Sequence, residues 1–348
     1  MPRTGYAFIS AYLKGEEARL VASSHVERML AAPSIDAAVE VVRDTDIGGY
    51  LRETPLWDFD HIDRSLWLYL SQCLGLLEGL DMAPREILKV VAAYKVKYDV
   101  HNAKAALRRL TAGGGDGTIP VGTLHGVGLL DRVASAETIE DIAEPLARCG
   151  LVGYADILRR HTEELGSSAR ARPRVDAELD REYYRGLAAV ARTSGDALIF
   201  TRALGVIIDL ANIQMAARAI IGGLGPEAAD YIIEGGAMLT AGTVRELLSQ
   251  TLGDMTQRLG TTQYRDAAEE IASGYERTRD RSIVAWVVEG HRVRLLKGLL
   301  APRVLSPVMA LYYLVLKEAE IRNMRLILKA MSDGIPVDET RNYLVLAS

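Results

Sequence analysis

The residues whose types and spacing could do chemistry in this sequence are led by asparagine. There are four, Asn102, Asn212, Asn323 and Asn342, and the first three lie 110 and 111 positions apart. Their surroundings agree. They read Asp99-Val100-His101-Asn102-Ala103-Lys104, Asp209-Leu210-Ala211-Asn212-Ile213-Gln214 and Glu320-Ile321-Arg322-Asn323-Met324-Arg325, each continuing to a cation at Arg108, Arg218 or Lys329. An acid thus precedes each asparagine by three residues, a long polar residue follows at two, and a cation follows at six. On a helix, residues three or four apart share a face, so Asp99 lies with Asn102, Asp209 with Asn212, and Glu320 with Asn323. Lys104 and Arg108, Gln214 and Arg218, and Arg325 and Lys329 share a second edge, about 200° round from the asparagine at +2.

The two edges suit different chemistry. Asparagine is a modest helix former, so its repeated mid-helix placement predicts a partner for the amide. A structural hydrogen bond is favoured over direct ligand contact. Guanidinium and ammonium groups rarely bury fully, so the basic edge should border solvent, a cavity or a partner. A solvated face and a partner surface both fit that edge.

Other constellations fail. The glycine-rich stretch 113–117 lacks the Gly-Lys-Ser/Thr of a phosphate loop, and Gly222-Gly223-Leu224-Gly225 follows no strand and does not match a dinucleotide fingerprint. The six histidines (His25, His61, His101, His125, His161 and His291) form no His-x3-His pair, and Cys73 and Cys149 stand apart from them. No Gly-x-Ser-x-Gly occurs. The basic stretch from Arg277 to Arg294 is interrupted by Asp280 and Glu289 and reads as a charged helix face. The expectation is no catalytic residue, no cofactor-binding site and no metal site.

The elements that position these edges must be helical. The 348 residues are 49% hydrophobic, which is ample for a packed core. A net charge of −5 argues against a general nucleic-acid binder, and two cysteines cannot build a disulfide framework. Alternating β-branched runs are nearly absent. Helical periodicity predicts segments at 5–30, 34–51 (capped by Ser34), 62–80, 86–110, 121–134, 138–149, 152–165, 176–194, 196–221, 226–238, 243–252, 262–278, 280–299 and 304–332. Residues 166–174 and 113–117 read as loops. Tyr50, Tyr154 and Tyr264 keep the long spacing, and Ile119-Pro120 and Ile335-Pro336 follow the first and third asparagine segments. The fold class is therefore all-α, an internal triplication with helical units at 1–114, 115–223 and 224–348. The start of the chain lacks the apolar core of a signal peptide. Residues 304–316, the longest uncharged run worth testing as a span, are too few to cross a membrane, so no transmembrane segment is expected.

Three segments carry a resemblance: Tyr6-Ala7-Phe8-Ile9-Ser10-Ala11-Tyr12-Leu13-Lys14, Lys97-Tyr98-Asp99-Val100-His101-Asn102-Ala103-Lys104, and residues 318–329. The chain resembles the C subunit of archaeal and bacterial V/A-type rotary ATPases, called d in the eukaryotic vacuolar enzyme. The likeness runs over essentially the whole chain, and the last asparagine segment followed by Asp333-Gly334-Ile335-Pro336 is its most specific part. Gln214 departs from the basic residue of the other two copies. The resemblance implies a funnel of three similar helical domains around a pseudo-threefold axis with a central cavity. It implies a non-catalytic rotor part on the cytoplasmic side of the membrane, attached through the rotor ring. The stalk of the ATP-hydrolysing head would sit in its cavity, coupling the head to proton or sodium transport. The partners implied are central-stalk subunits and the ring, with no nucleic acid, small-molecule substrate or cofactor. On this reading the basic edge borders the stalk socket. The competing reading is an all-α triplicated scaffold or adaptor with no rotor role.

Overall fold

The computed structural model describes residues 2–54, 58–115, 117–167 and 171–345. Helices dominate, and no β-strand occurs among the described residues. Six helices are long: Phe59–Glu78, Arg85–Ala112, Ala171–Thr193, Ala197–Gly222, Ile283–Leu300 and Val308–Asp333. The second, fourth and sixth carry Asn102, Asn212 and Asn323 and are here called the first, second and third asparagine helices. The long helix preceding each is its leading helix. Short helices stand before each pair: Ser23–Leu30, Ile35–Val41 and Asp46–Arg52 before the first, Thr123–Gly126 through to Thr162–Ser167 before the second, and Ala241–Leu248, Leu252–Leu259 and Arg265–Thr278 before the third.

Side-chain caps start many of these elements. Ser34, Thr45, Asp58, Thr138, Thr240 and Thr251 each accept a backbone N–H three residues on, which satisfies a donor the helix leaves free. The three asparagine helices stop at Gly113, Gly223 and Gly334, with φ of 71°, 72° and 69°. Glycine adopts that backbone without the Cβ penalty other residues carry.

The six long helices close on themselves. Each leading helix packs on its own asparagine helix and on the one before it, and Phe59–Glu78 packs on the third asparagine helix. The result is a ring of alternating helices. The first and third asparagine helices also touch each other directly. Such helices are buried on several sides, so their apolar residues run all the way round. In the third, every residue from Val308 to Ile321 is buried. The second, Ala197–Gly222, is long and apolar enough to cross a membrane by length and composition, but 67% of that stretch is buried inside the protein. It sits between two leading helices and reads as a core helix.

Several expected helices are shorter or split. The single helix expected over 5–30 is two, Pro2–Glu17 and Ser23–Leu30, because the backbone at Val21 is drawn onto Glu320. The helix expected at 34–51 breaks at 42–45, where Thr45 turns back on the Val42 carbonyl at 2.7 Å and caps Asp46–Arg52. Periodicity predicts helix over 226–238, but a 3₁₀ segment ends at Tyr231 and non-helical chain follows. Within the loop expected at 166–174, residues 171–174 are already helical. Residues 168–170 of that loop, and Asp116 of the glycine-rich one, lie outside the described residues.

Candidate functional site

The asparagine helices hold other segments of their own chain through their acid/amide edges. In the first, Asn102 donates to the carbonyls of Ile119 (3.0 Å) and Val121 (3.1 Å) and accepts the N–H of Ile119 at 2.8 Å. Asp99 accepts from Thr123 and Leu124 at 2.9 and 2.8 Å. In the second, Asn212 exchanges both bonds with Ile233, at 2.7 and 3.0 Å. Asp209 takes the N–H groups of Met238 and Leu239 at 2.8 and 3.1 Å and the Tyr264 hydroxyl at 2.6 Å. In the third, Asn323 exchanges both bonds with Val345 near the C-terminus, at 2.7 and 2.8 Å, while Glu320 accepts the N–H of Val21 at 2.8 Å.

All six side chains are buried. Burial pushes the Asp99 and Asp209 carboxyls above their ordinary range, opposed by the N–H and O–H donors aimed at them. An edge made this way is fully used in joining segments of its own chain.

A second polar cluster lies where helices of the ring converge. Glu318, on the third asparagine helix, pairs with Lys97 of the first and accepts the Tyr94 hydroxyl at 2.7 Å and that of Tyr98. Arg292, on the leading helix Ile283–Leu300, reaches Glu318 at 3.1 Å and also pairs with Glu289. Glu289 takes Arg322 at 3.4 Å. Burial pushes the Lys97 ammonium down to about 8. Burial alone would raise Glu318, but Lys97 and Arg292 more than offset it and hold the carboxyl at about 2. Nearby, Lys317 is fully buried, 2.9 Å from Glu320 and 3.0 Å from the Tyr69 hydroxyl. Motif spacing alone gives Lys97 and Glu318 no role. The available signal was register: the residue five before each asparagine is Lys97, Ile207 or Glu318, opposite charges at matching places in two of the three helices.

Among the described residues, no group of three or more His, Cys, Asp or Glu side chains could hold a metal ion. The ring, its clips and its charged centre can be set beside known proteins. The sequence matches the family model described as ATP synthase (C/AC39) subunit over residues 9–343. The chain belongs to that family. Three curated relatives, each named as the C subunit of an A-type ATP synthase, are similar to it along almost their whole length. That of Methanocaldococcus jannaschii is 26% identical, covering 98% of this chain and 86% of the relative. The Pyrococcus abyssi protein is 24% identical over 98% and 90%. The Methanococcoides burtonii protein is 24% identical over 99% and 95%.

In this member of the C/AC39 family the basic edge divides in two. Lys104 is half-buried and 2.5 Å from Asp180 on the leading helix Ala171–Thr193. Arg325 pairs with Asp63 on Phe59–Glu78, with its guanidinium 4.5 Å from the centre of the Trp67 ring. These +2 residues therefore brace the ring from within the chain. Gln214, half-buried, shares a cleft with Arg218, Asp176 and Asp180. The +6 residues point outward. Arg108 and Arg218 are exposed, and Lys329 is exposed with Asp333 at 2.7 Å. Lys329 also holds its ammonium 5.1 Å from the centre of the Phe59 ring on the first leading helix, so the outer members of the edge are exposed but not all free of contacts between helices.

Proposed function

We propose that this chain is a non-catalytic coupling subunit of an A-type ATP synthase, seated on the cytoplasmic side of the membrane through the rotor ring. Three helical units, 1–114, 115–223 and 224–348, would surround the foot of the central stalk, and rotation would pass through them between the ATP-handling head and the proton- or sodium-carrying ring. The observation that carries this reading is the closed ring of six long helices in a member of the C/AC39 family. A torque-bearing part must resist deformation, and close-packed helices braced by buried ion pairs do so. The proposed unit limits fall at 113–115 and at Gly223, where asparagine helices end. Of the basic edge, Arg108, Arg218 and Lys329 are the residues we assign to the stalk. Nothing in the structure favours the scaffold or adaptor alternative.

Mixing the purified chain with central-stalk subunits tests the proposal by native mass spectrometry. A stoichiometric complex is expected, and its absence with the unaltered chain rejects the stalk role. Replacing Arg108, Arg218 and Lys329 together by Glu should weaken the complex at low salt, because exposed charges steer and register such contacts. Unchanged affinity would reject the basic-edge assignment while leaving the coupling role standing.

A further inference from the structure

One cavity lies apart from the basic edge and the charged centre. It has a volume of about 840 Å³ and lies between the leading helix Ala171–Thr193, the second asparagine helix and the segment 229–245. Five arginines line it: Arg174, Arg181, Arg185, Arg192 and Arg245. Four of these sit on one helix at spacings of seven, four and seven, which places them in a single stripe. From Arg174 to Arg192 that stripe runs about 27 Å along the helix axis. Arg245 faces it from the Ala241–Leu248 helix.

The arginines are not equally engaged. Arg174 pairs with Glu164, Arg185 with Glu182, and Arg181 donates to the Asp230 carbonyl. Arg192 and Arg245 make no ion pair or hydrogen bond among the described residues. The acids that line the cavity are Glu178, Asp230 and Glu234, and Glu178 is shared with His161 at 3.1 Å. Cations therefore outnumber acids, and the wall between them is apolar at Leu204, Ile208 and Ile232. Arg192 and Arg245 stand in this lining with no acid paired to them, so an anion entering the cleft meets two uncommitted guanidinium groups beside apolar surface. Their planar forks match phosphate oxygens in pairs.

We propose that this cleft binds a phosphate-bearing anion, with Arg192 and Arg245 as the main contacts and Arg181 supporting them. The same chemistry is offered by a free polyphosphate and by the headgroup of an anionic lipid. The site is independent of the rotor reading, since none of its residues belongs to the basic edge or the ring's charged centre.

Calorimetric titration of the full chain with pyrophosphate tests the first source, at low and at physiological ionic strength. Flotation with phosphatidylcholine vesicles carrying phosphatidic acid tests the second. Saturable one-to-one binding of pyrophosphate, weakened by salt, is expected if the anion is free, and vesicle binding alone if it is a headgroup. In either arm Arg192→Ala with Arg245→Ala should cost about 100-fold in affinity. Replacing both by Lys should restore part of the loss, because charge returns without the fork. Melting of these surface variants and their assembly with stalk subunits should match the parent chain. Absence of binding in both arms overturns the proposal, and so does binding that the double alanine variant keeps. Competition by polyglutamate as strong as by pyrophosphate overturns the phosphate class in favour of a carboxylate-rich partner.

Discussion

The first two asparagine clips and the third do the same bonding with different parts. Asp99 and Asp209 are short acids pressed against backbone, so close that a Cβ at Gly122 would lie 2.4 Å from Asp99 Oδ1 and one at Gly236 only 1.9 Å from Asp209 Oδ1. In both, amide and acid grip one continuous stretch, 119–124 or 233–239. The third clip has no continuous stretch to hold. Asn323 takes Val345 near one end of the chain and Glu320 takes Val21 near the other. Its acid is one methylene longer, and the chain around Val21 reads Leu20-Val21-Ala22, with no glycine. Ion pairs gather at this seam: Lys97 with Glu318, Arg325 with Asp63, and Arg341 with Glu27 at 2.6 Å. Where the backbone itself connects two parts, a short acid and a glycine suffice. Where separate parts of the chain must be joined, longer reach and charge take over.

If buried charge joins the seam, its removal should have the largest effect. Glu318→Gln strands Lys97 and leaves Arg292 with Glu289 alone, and loss of one partner of a buried pair typically costs about 3–5 kcal/mol. The sign with pH follows from the shift. Glu318 titrates near 2 in the folded chain against an ordinary 4.5, so the unfolded chain binds more protons between those values. The stability it contributes is present above about 4.5 and is lost as pH falls towards 2. Urea melts across an acid series should show Glu318→Gln weaker at neutral pH and flatter on the acid side. An acid limb as steep as the parent's would break the assignment.

The next effect probes the tight clips. Gly236→Ala drives a Cβ into the Asp209 carboxylate and should cost about 3 kcal/mol, since the carboxylate cannot retreat without losing its bonds to Met238, Leu239 and Tyr264, and the Leu239 carbonyl lies 2.7 Å from the same Cβ position. Denaturant midpoints measure it. A near-neutral result would show that the clip has slack, and the contrast with the glycine-free seam would dissolve.

The clip amides should differ in the same sense. Asn212→Leu leaves the N–H and C=O of Ile233 without partners inside the fold, at about 2–4 kcal/mol. Asn323→Leu frees Val345, whose segment the clip's acid does not hold because Glu320 grips Val21 instead, so it can move out to water and about 1 kcal/mol is expected together with faster hydrogen exchange at Val345. Equal costs at the two sites would mean the C-terminal segment is as constrained as an internal one.

How much of this was legible in the sequence follows from which interactions are local. The asparagine spacing and the helical class are properties of periodicity, and the acid–amide register needs only helix geometry to place Asp99 beside Asn102. The break at Val21 was invisible, because its cause, Glu320, lies 299 residues away. For the same reason Lys104 read as a free edge: Asp180 meets it only after the ring closes. The non-helical chain at 232–239 looked helical by composition, and the clip at Asp209 and Asn212 holds it away from a helix. Local signals specified elements and faces. What each face touches was decided by closure of the ring.

The smallest effect tests whether burial or mere charge governs the seam. Arg341 and Glu27 are an exposed pair between the end of the chain and the Ser23–Leu30 helix, each side chain about half accessible. Water and salt screen such a pair, and ordering two long side chains offsets the attraction that remains. Arg341→Ala should therefore leave the melting midpoint unchanged within error, at low and at high salt. Glu318, by contrast, keeps 9% of its side chain accessible and faces two cations that water cannot reach freely. A drop for Arg341→Ala comparable to that for Glu318→Gln would show that the two chain ends depend on their outermost contact. The charged centre would then be a consequence of closure and not its cause.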